Sequence, residues 1–138
     1  MNTVGITGGS GIVGARVVEH LLARPDVDRL VALGRRPLAT VHPKLESKVV
    51  DLQDPAAIAQ ELPADLGIAV CCLGTTMKKA GSQQAFRAVD HDAVVAFARA
   101  ARDKGARRFL LVSAIGANPR SRNFYVRTKG EAEEAVAR

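Results

Sequence analysis

Aromatic residues and cysteines are scarce in this sequence. It contains no tryptophan, one tyrosine and 4% aromatic residues in total, against 47% hydrophobic residues, so its core must be largely aliphatic. The two cysteines, Cys71 and Cys72, are adjacent inside an apolar run and lack the spacing of a metal or redox motif, which favours two buried small side chains. We therefore expect one globular domain over residues 1–138, with no bound metal.

Long apolar runs and a secretory leader are also missing. The longest apolar runs, such as IAVCCLG, are far below the roughly 18 residues of a membrane span. No charged region followed by an apolar one opens the chain. We therefore expect a cytoplasmic protein that does not associate with a membrane.

The charge is unbalanced towards basic residues. Twenty Lys and Arg stand against 14 Asp and Glu, a formal net charge of +6, which can attract nucleic acid, anionic lipid or a phosphorylated small molecule. The basic residues are scattered in pairs, without a basic helix face or the interleaved aromatic residues on which bases stack. Nucleic-acid binding is therefore a minor alternative.

Short apolar runs alternate with helical patterns along the chain, which is typical of a parallel α/β sheet. Several runs are apolar at successive positions, as expected for strands covered by helices on both faces. We predict a Rossmann-type, doubly wound sheet with strand order 3-2-1-4-5. The predicted strands are Thr3–Thr7, Leu30–Gly34, Lys48–Asp51, Ile68–Leu73 and Phe109–Ser113. The predicted helices run from Gly11 or Ile12 to Ala23, from Asp54 and Pro55 onward, from Ser82 to Lys104 and from Asn123 to Arg138.

The stretch TGGSGIVG, which begins at residue 7, has four glycines in eight residues and joins the first predicted strand to the first helix. This context is typical of a turn that binds the phosphates of a dinucleotide. Gly8 permits the tight turn, Gly11 lets the backbone approach a pyrophosphate, and Gly14 lets the helix pack closely on the sheet. The N–H groups at the helix start, around Ser10 and Ile12, then face the anion. A purely structural glycine turn is the alternative.

The second predicted strand ends in Gly34, Arg35 and Arg36, where dinucleotide folds commonly place an acid that binds the adenine-ribose 2′-hydroxyl. A carboxylate would repel a 2′-phosphate, whereas guanidinium groups bind it through paired hydrogen bonds. The sequence therefore predicts NADP(H) in preference to NAD(H), and two solvated arginines are the alternative. Asp51 and Leu52, at the end of the third strand, are predicted beside the adenine, although Asp51 could simply close the strand.

The segment NFYVRTKGE places Tyr125 and Lys129 four residues apart, on one face of a predicted helix. A phenol, whose ordinary pKa is near 10, is a poor acid–base catalyst at neutral pH. A neighbouring ammonium that stabilises the phenolate therefore serves proton transfer. Tyr125 and Lys129 are the predicted catalytic pair, and a tyrosine on a helix surface with a charge nearby is the alternative.

The glycine turn and the YxxxK motif together resemble the short-chain dehydrogenase/reductase superfamily. The segments CCLGTTMKKAGS, FRAVD, VSAIGA and FYVRTKGEAE are more specific, and they resemble its atypical, Tat-interacting-protein-like branch. The resemblance covers nearly the whole chain and implies a Rossmann domain that binds NADPH, with a tyrosine that donates or accepts the proton accompanying hydride transfer. It also implies that Lys129 holds the nicotinamide ribose and that Gly74 and Thr75 line the cofactor after the fourth strand.

Two features depart from this family. Relatives often have two serines at the end of the fifth strand, and here Ala114 follows Ser113. Ser113 is therefore a provisional catalytic residue, with a serine bonded to backbone as the alternative and Ser121 as a distant reserve. The sixth strand and the region that shapes a substrate pocket are also missing, so we expect a domain that is incomplete at its C-terminal end.

The predicted function is NADP(H)-dependent oxidation or reduction of a small alcohol or carbonyl compound. A cofactor-binding regulator without turnover is the alternative, and Ala114 and the missing C-terminal region favour it. The edge left by a missing strand promotes self-association, so a homodimer is one alternative for the oligomeric state.

Overall fold

A sheet of five parallel strands lies at the centre of the computed structural model, which describes residues 2–138. The strands are β1 (Asn2–Thr7), β2 (Val27–Gly34), β3 (Leu45–Val49), β4 (Leu66–Cys71) and β5 (Arg108–Leu111). Their spatial order is β3-β2-β1-β4-β5, and every neighbouring pair is parallel. The predicted Rossmann-type fold and the strand order 3-2-1-4-5 are confirmed.

Helices connect the strands and cover the sheet. They are α1 (Ile12–Ala23), α2 (Pro55–Glu61), α3 (Met77–Ala80), α4 (Gln83–Arg87), α5 (Val94–Asp103) and α6 (Phe124–Ala137), and a π-helical segment, Ala88–Ala93, joins α4 to α5. Within residues 2–138, no helix is both long and apolar enough to cross a membrane.

Alternate residues of β2 belong to two separate clusters of buried side chains, one on each face of the sheet. Leu30 and Ala32 pack in a cluster to which α1 contributes Val18 and Leu22. Val31 and Leu33 pack in the larger cluster, to which α2, α5 and α6 contribute. Because helices cover both faces, the central strands can be apolar at successive positions.

The third strand differs from its prediction. β3 covers Leu45–Val49, whereas the sequence predicted Lys48–Asp51. It is an edge strand whose residues are all partly or fully exposed, so polar residues such as Glu46 are tolerated there. A search for apolar runs therefore misplaces the bounds of such a strand. Asp51 lies in the following turn, where its side chain accepts a hydrogen bond from the Gln53 N–H at 2.9 Å.

Other strand boundaries differ by a few residues. β4 and β5 each end two residues earlier than predicted, and β2 begins at Val27 rather than Leu30. The early part of β2 contains Arg29, whose guanidinium forms an ion pair with Glu46 on β3 and lies 3.5 Å from the Asp65 carboxylate. Cross-strand charge pairing therefore extends the strand beyond its apolar run.

The predicted helix from Ser82 to Lys104 contains a π-helical interruption. The Ser82 hydroxyl caps α4 by accepting a hydrogen bond from the Ala85 N–H at 3.1 Å, and Gly105, with φ of +85°, follows the end of α5. Between them, residues Ala88–Ala93 form the π-helical segment. The apolar spacing along this stretch is compatible with one helix, so the interruption was not predicted.

Two glycines where β1 connects to α1 have no space for a side chain: one lies in the turn and the other in the first turn of the helix. Gly8 has φ of +82°, and a Cβ built on it lies 2.4 Å from the carbonyl carbon of Cys72. A Cβ built on Gly14 lies 1.9 Å from the carbonyl oxygen of Gly8. Both obstructing atoms are backbone atoms, so the turn, α1 and the end of β4 can approach this closely only because both residues are glycine.

We expect Gly14→Ala to lower the free energy of unfolding by about 1–3 kcal/mol, because the methyl group overlaps the Gly8 carbonyl and forces the backbone apart. Gly11→Ala is the matched control, since a Cβ on Gly11 meets only the Gly8 carbonyl oxygen, at an ordinary 3.6 Å. Urea denaturation measures both variants. Equal stability of the two would contradict the proposed backbone contact.

Candidate functional site

A cleft of about 580 Å³ opens where the carboxyl ends of the strands meet the loops that follow β1, β2, β3 and β4. Neighbouring β1 and β4 lie where the order of the strands reverses, which is the position at which open parallel sheets bind ligands. Nine predicted cofactor-binding residues line the cleft: Gly8, Ser10, Gly11, Arg35, Arg36, Asp51, Leu52, Gly74 and Thr75.

Two other predicted cofactor-binding residues of the glycine turn lie outside the lining. Gly14 packs against the Gly8 carbonyl, as described above, and therefore supports the turn. Ile12 is 92% exposed, and its backbone N–H belongs to the first turn of α1.

The turn leaves room for a ligand at Gly11, where no protein atom crowds the position of a Cβ. Helix α1 begins without a side-chain cap, so the N–H groups of its first turn are available to an anion, which the helix dipole also favours. The open approach and the available donors fit the pyrophosphate of a dinucleotide.

Arg35 and Arg36 follow the carboxyl end of β2 and are exposed on the cleft wall. Among residues 2–138, neither guanidinium has a carboxylate within 4.0 Å. The neighbouring wall is closed by a hydrogen bond of 2.8 Å from the Leu38 N–H to the Ser47 hydroxyl of β3. This part of the cleft therefore presents two cations that have no carboxylate partner among residues 2–138.

Sequence reasoning missed Lys79, a further cation on the cleft wall. Lys79 lies on α3, a short helix that was not predicted and that the Thr76 hydroxyl caps by accepting a hydrogen bond from the Lys79 N–H at 3.1 Å. The pair Lys78–Lys79 was visible only as scattered charge. The threonine before a short apolar and basic run was the available signal.

Lys129 lies behind the cleft wall and is bound to a carboxylate that the sequence analysis did not single out. Its Nζ is 2.9 Å from Oδ1 of Asp90, and the side chains are only 8% and 1% exposed. The other oxygen of Asp90 accepts a hydrogen bond from the Thr75 N–H at 3.1 Å. The segment FRAVD contains Asp90, but its position in a helix gave no indication of a buried partner.

Tyr125 lies in the first turn of α6 and is 38% exposed. Its ring packs at a tilt against Phe86, with ring centroids 5.3 Å apart. The helix begins at Phe124 because the side chain of Asn123 accepts a hydrogen bond from the Val126 N–H at 3.0 Å. Tyr125 and Lys129 therefore lie four residues apart on one helix, and neither is among the residues that line the cleft.

Ser113 lies two residues beyond the end of β5. Its hydroxyl is buried and has no hydrogen-bond partner within residues 2–138, so the backbone bond that was the alternative is not formed. An unpaired buried hydroxyl is costly and is available to a ligand. Ser121, the distant reserve, has its hydroxyl engaged by the Asn123 N–H at 3.1 Å.

The two adjacent cysteines have different surroundings. Burial raises the pKa of the Cys71 thiol to about 12, and partial burial also raises the pKa of Cys72, which lines the cleft. No group of three or more potential metal-ligating side chains occurs in the part of the chain that the structure describes.

We expect one slowly reacting thiol in the native protein when it is treated with a disulfide reagent at about pH 8, because Cys71 is buried as a thiol and Cys72 is half-buried. Cys72→Ser removes the slow reaction, and urea exposes both cysteines of the parent chain. The absorbance of the thiolate that is released from the reagent measures the rate of the reaction. Two fast native thiols would contradict the observed burial.

A family model described as NAD(P)H-binding matches residues 8–138 of this chain. The solved structure of the Bordetella bronchiseptica enzyme WbmH in complex with NAD⁺ is similar, with a TM-score of 0.80 and 20% identity over 99% of this chain and 52% of the enzyme. A short chain dehydrogenase from Burkholderia cenocepacia in complex with NADP also has a TM-score of 0.80 and 20% identity, over 99% of this chain and 65% of that enzyme.

Curated fungal relatives are more similar in sequence. Protein FMP52, mitochondrial, from Coccidioides immitis is 37% identical over 99% of this chain and 60% of its own length. The protein of the same name from Emericella nidulans is 36% identical, with the same coverage. The chain thus spans about 60% of the length of these relatives.

The names of these relatives overturn the predicted cytoplasmic location, because they place the relatives in mitochondria. That prediction was wrong because it rested on apolar runs and on a leader pattern. Both are signals of membrane insertion or secretion, and neither reports delivery of a folded domain to an organelle.

The family match over residues 8–138 agrees with the five-stranded sheet and its cleft, because both indicate a dinucleotide-binding fold. The chain belongs to the NAD(P)H-binding family, and its fold is similar to that of the Burkholderia cenocepacia short chain dehydrogenase.

Proposed function

We propose that this chain binds NADP(H) in the cleft and forms the cofactor domain of an oxidoreductase that interconverts a small carbonyl compound and an alcohol. The observation that carries the proposal is the open backbone at Gly11 beside two unpartnered arginines. The open backbone suits a pyrophosphate, and the arginines suit one further phosphate on the adenosine half. The NADP found in the Burkholderia cenocepacia dehydrogenase supports the same class of ligand.

Each wall of the cleft has a proposed role in holding the cofactor. The backbone around Ser10 and Gly11 binds the pyrophosphate, while Arg35 and Arg36 bind the 2′-phosphate. Asp51 and Leu52 line the cleft after β3 and would lie beside the adenine, and Gly74 and Thr75 line it after β4 and would complete the cofactor site.

The proposed reaction needs a proton donor near the substrate oxygen. When bound, the cofactor supplies a hydride to the carbonyl carbon or accepts one from the alcohol carbon. Tyr125 donates its hydroxyl proton to the carbonyl oxygen in reduction and takes the proton back in oxidation, and Lys129 stabilises the phenolate. The unpartnered hydroxyl of Ser113 donates a hydrogen bond to the same oxygen.

A cofactor-binding regulator without turnover is the second candidate. Ala114 occupies the position where relatives often have a second serine, and the Asp90 carboxylate already engages Lys129. Both features reduce the catalytic groups available to a substrate.

We expect NADPH to bind at least about tenfold more tightly than NADH, because charge-assisted hydrogen bonds to the 2′-phosphate contribute on the order of 1.5–3 kcal/mol. Replacing Arg35 and Arg36 together by Ala weakens NADPH binding and leaves NADH binding almost unchanged. Titration calorimetry at low and high salt measures both ligands, and part of the NADPH preference is lost at high salt.

A double variant with Arg99→Ala and Arg102→Ala controls for the change in net charge, because both arginines lie on α5, away from the cofactor cleft. It should retain the NADPH preference of the parent. Equal affinities of the parent for both cofactors, or a loss of both cofactors in the Arg35/Arg36 variant, would refute the 2′-phosphate assignment.

We expect Tyr125→Phe to reduce carbonyl reductase activity by about 100-fold or more while cofactor affinity stays nearly the same, because the ring is kept and the transferable proton is lost. Activity is measured by NADPH oxidation with a panel of aldehydes, ketones and quinones. If the parent chain binds NADPH but reduces none of them, the regulator is the better reading for these residues; equal turnover in the variant rules out Tyr125 as the acid.

A further inference from the structure

A buried carboxylate links the cofactor cleft to the helix that carries the predicted catalytic pair. Asp90 lies in the π-helical segment and is 1% exposed. One of its oxygens binds Nζ of Lys129 on α6, and the other binds the N–H of Thr75 in the loop after β4. A single side chain therefore joins three separate parts of the fold.

The ion pair lies directly behind the cleft wall. A Cβ built on Gly74, which lines the cleft, comes within 3.5 Å of Oδ1 of Asp90 and 3.9 Å of Nζ of Lys129. The absence of a side chain at Gly74 thus leaves the pair next to the space that a ligand would fill. Lys129 has three N–H donors and uses one of them on Asp90, so two remain for other partners.

The pairing is specific among the charges nearby. The closest acidic neighbour along α6, Glu131, is held by Arg87 at 3.0 Å. Asp92, in the same π-helical segment as Asp90, binds His91 at 2.7 Å and is half-exposed. Asp90 is therefore the carboxylate that compensates the buried ammonium, and a buried ammonium without compensation is strongly unfavourable.

We propose that Asp90 is the positioning residue of this site: it holds the Lys129 ammonium behind the cleft wall, limits the positive charge that reaches Tyr125, and anchors the loop at Thr75. This inference rests on the proposed function, which gives Tyr125 and Lys129 their roles. The carboxylate and the ammonium form a neutral pair. Asp90 therefore fixes the orientation of the Lys129 ammonium and reduces the electric field that the ammonium exerts on the phenol of Tyr125.

The effect of Asp90 on the ionisation of Tyr125 can be measured by absorbance, because Tyr125 is the only tyrosine and the chain has no tryptophan. The absorbance change on tyrosine ionisation therefore reports this residue alone. Asp90→Asn removes the carboxylate that pairs with Lys129 and leaves the positive charge of Lys129 uncompensated. We expect the transition to move to lower pH by at least about half a unit.

Asp92→Asn is the matched control, since it makes the same chemical change at a half-exposed position of the same segment. It should leave the tyrosine transition unchanged. The other titratable groups near the pair, Cys71 and the Arg87–Glu131 pair, are the same in all variants. An Asp90→Asn protein that is folded and has an unmoved tyrosine transition would overturn the proposal.

A double-mutant cycle tests the pair itself. Asp90→Asn and Lys129→Met each lower the urea midpoint, because each leaves one buried charge without its partner, and the double variant loses less than the sum of the two. Additive losses would overturn the pairing. If Asp90→Asn alone does not fold, a folded double variant supports the pairing, and an unfolded double variant counts against it.

The role at Thr75 has a separate measurement. Asp90→Asn should weaken NADPH and NADH binding about equally, by roughly fivefold or more, because both cofactors share the wall beside Thr75. Asp92→Asn should bind both as the parent does. The tyrosine and urea measurements use cofactor-free protein, so a parent chain that binds no cofactor refutes the proposed function alone. Unchanged binding of both cofactors by folded Asp90→Asn overturns the loop-anchoring role.

Discussion

The contact between Gly14 and the Gly8 carbonyl is the constraint on which the rest of the cleft depends. Any side chain at Gly14 would occupy the position of that carbonyl, and any side chain at Gly8 would meet the backbone of Cys72. The three backbone segments therefore approach as closely as their atoms allow. This approach brings the start of α1 beside the end of β4, so that the helix N–H groups and the loop at Thr75 face one cleft.

Charge is distributed unevenly around this cleft. Arg35, Arg36 and Lys79 lie on its walls, and the first turn of α1 adds the positive end of a helix dipole. The ammonium of Lys129, by contrast, is compensated by Asp90. The cleft walls thus carry three basic side chains that have no carboxylate within 4.0 Å among residues 2–138, which suits a ligand with several phosphates. The site of proton transfer proposed on α6 lies beside a nearly neutral pair.

The residues that match the family are the residues that form the cleft. Residues 8–138 match the NAD(P)H-binding family, and the chain spans about 60% of its fungal relatives. The cleft, its glycine turn and the helix with Tyr125 lie within these residues. Dinucleotide-binding folds position the cofactor, while other segments commonly shape the substrate pocket.

The sequence by itself determined the fold class, the strand order and the location of the glycine turn, because apolar runs, helical spacing and glycine are read from neighbouring residues. Only the tertiary structure decided which distant residues meet. Asp90 and Lys129 are 39 positions apart, and neither spacing nor composition indicates that they pair. The bounds of the exposed edge strand β3 were predicted wrongly, and the cleft position of Lys79 was missed, for the same reason: both depend on what packs beside them.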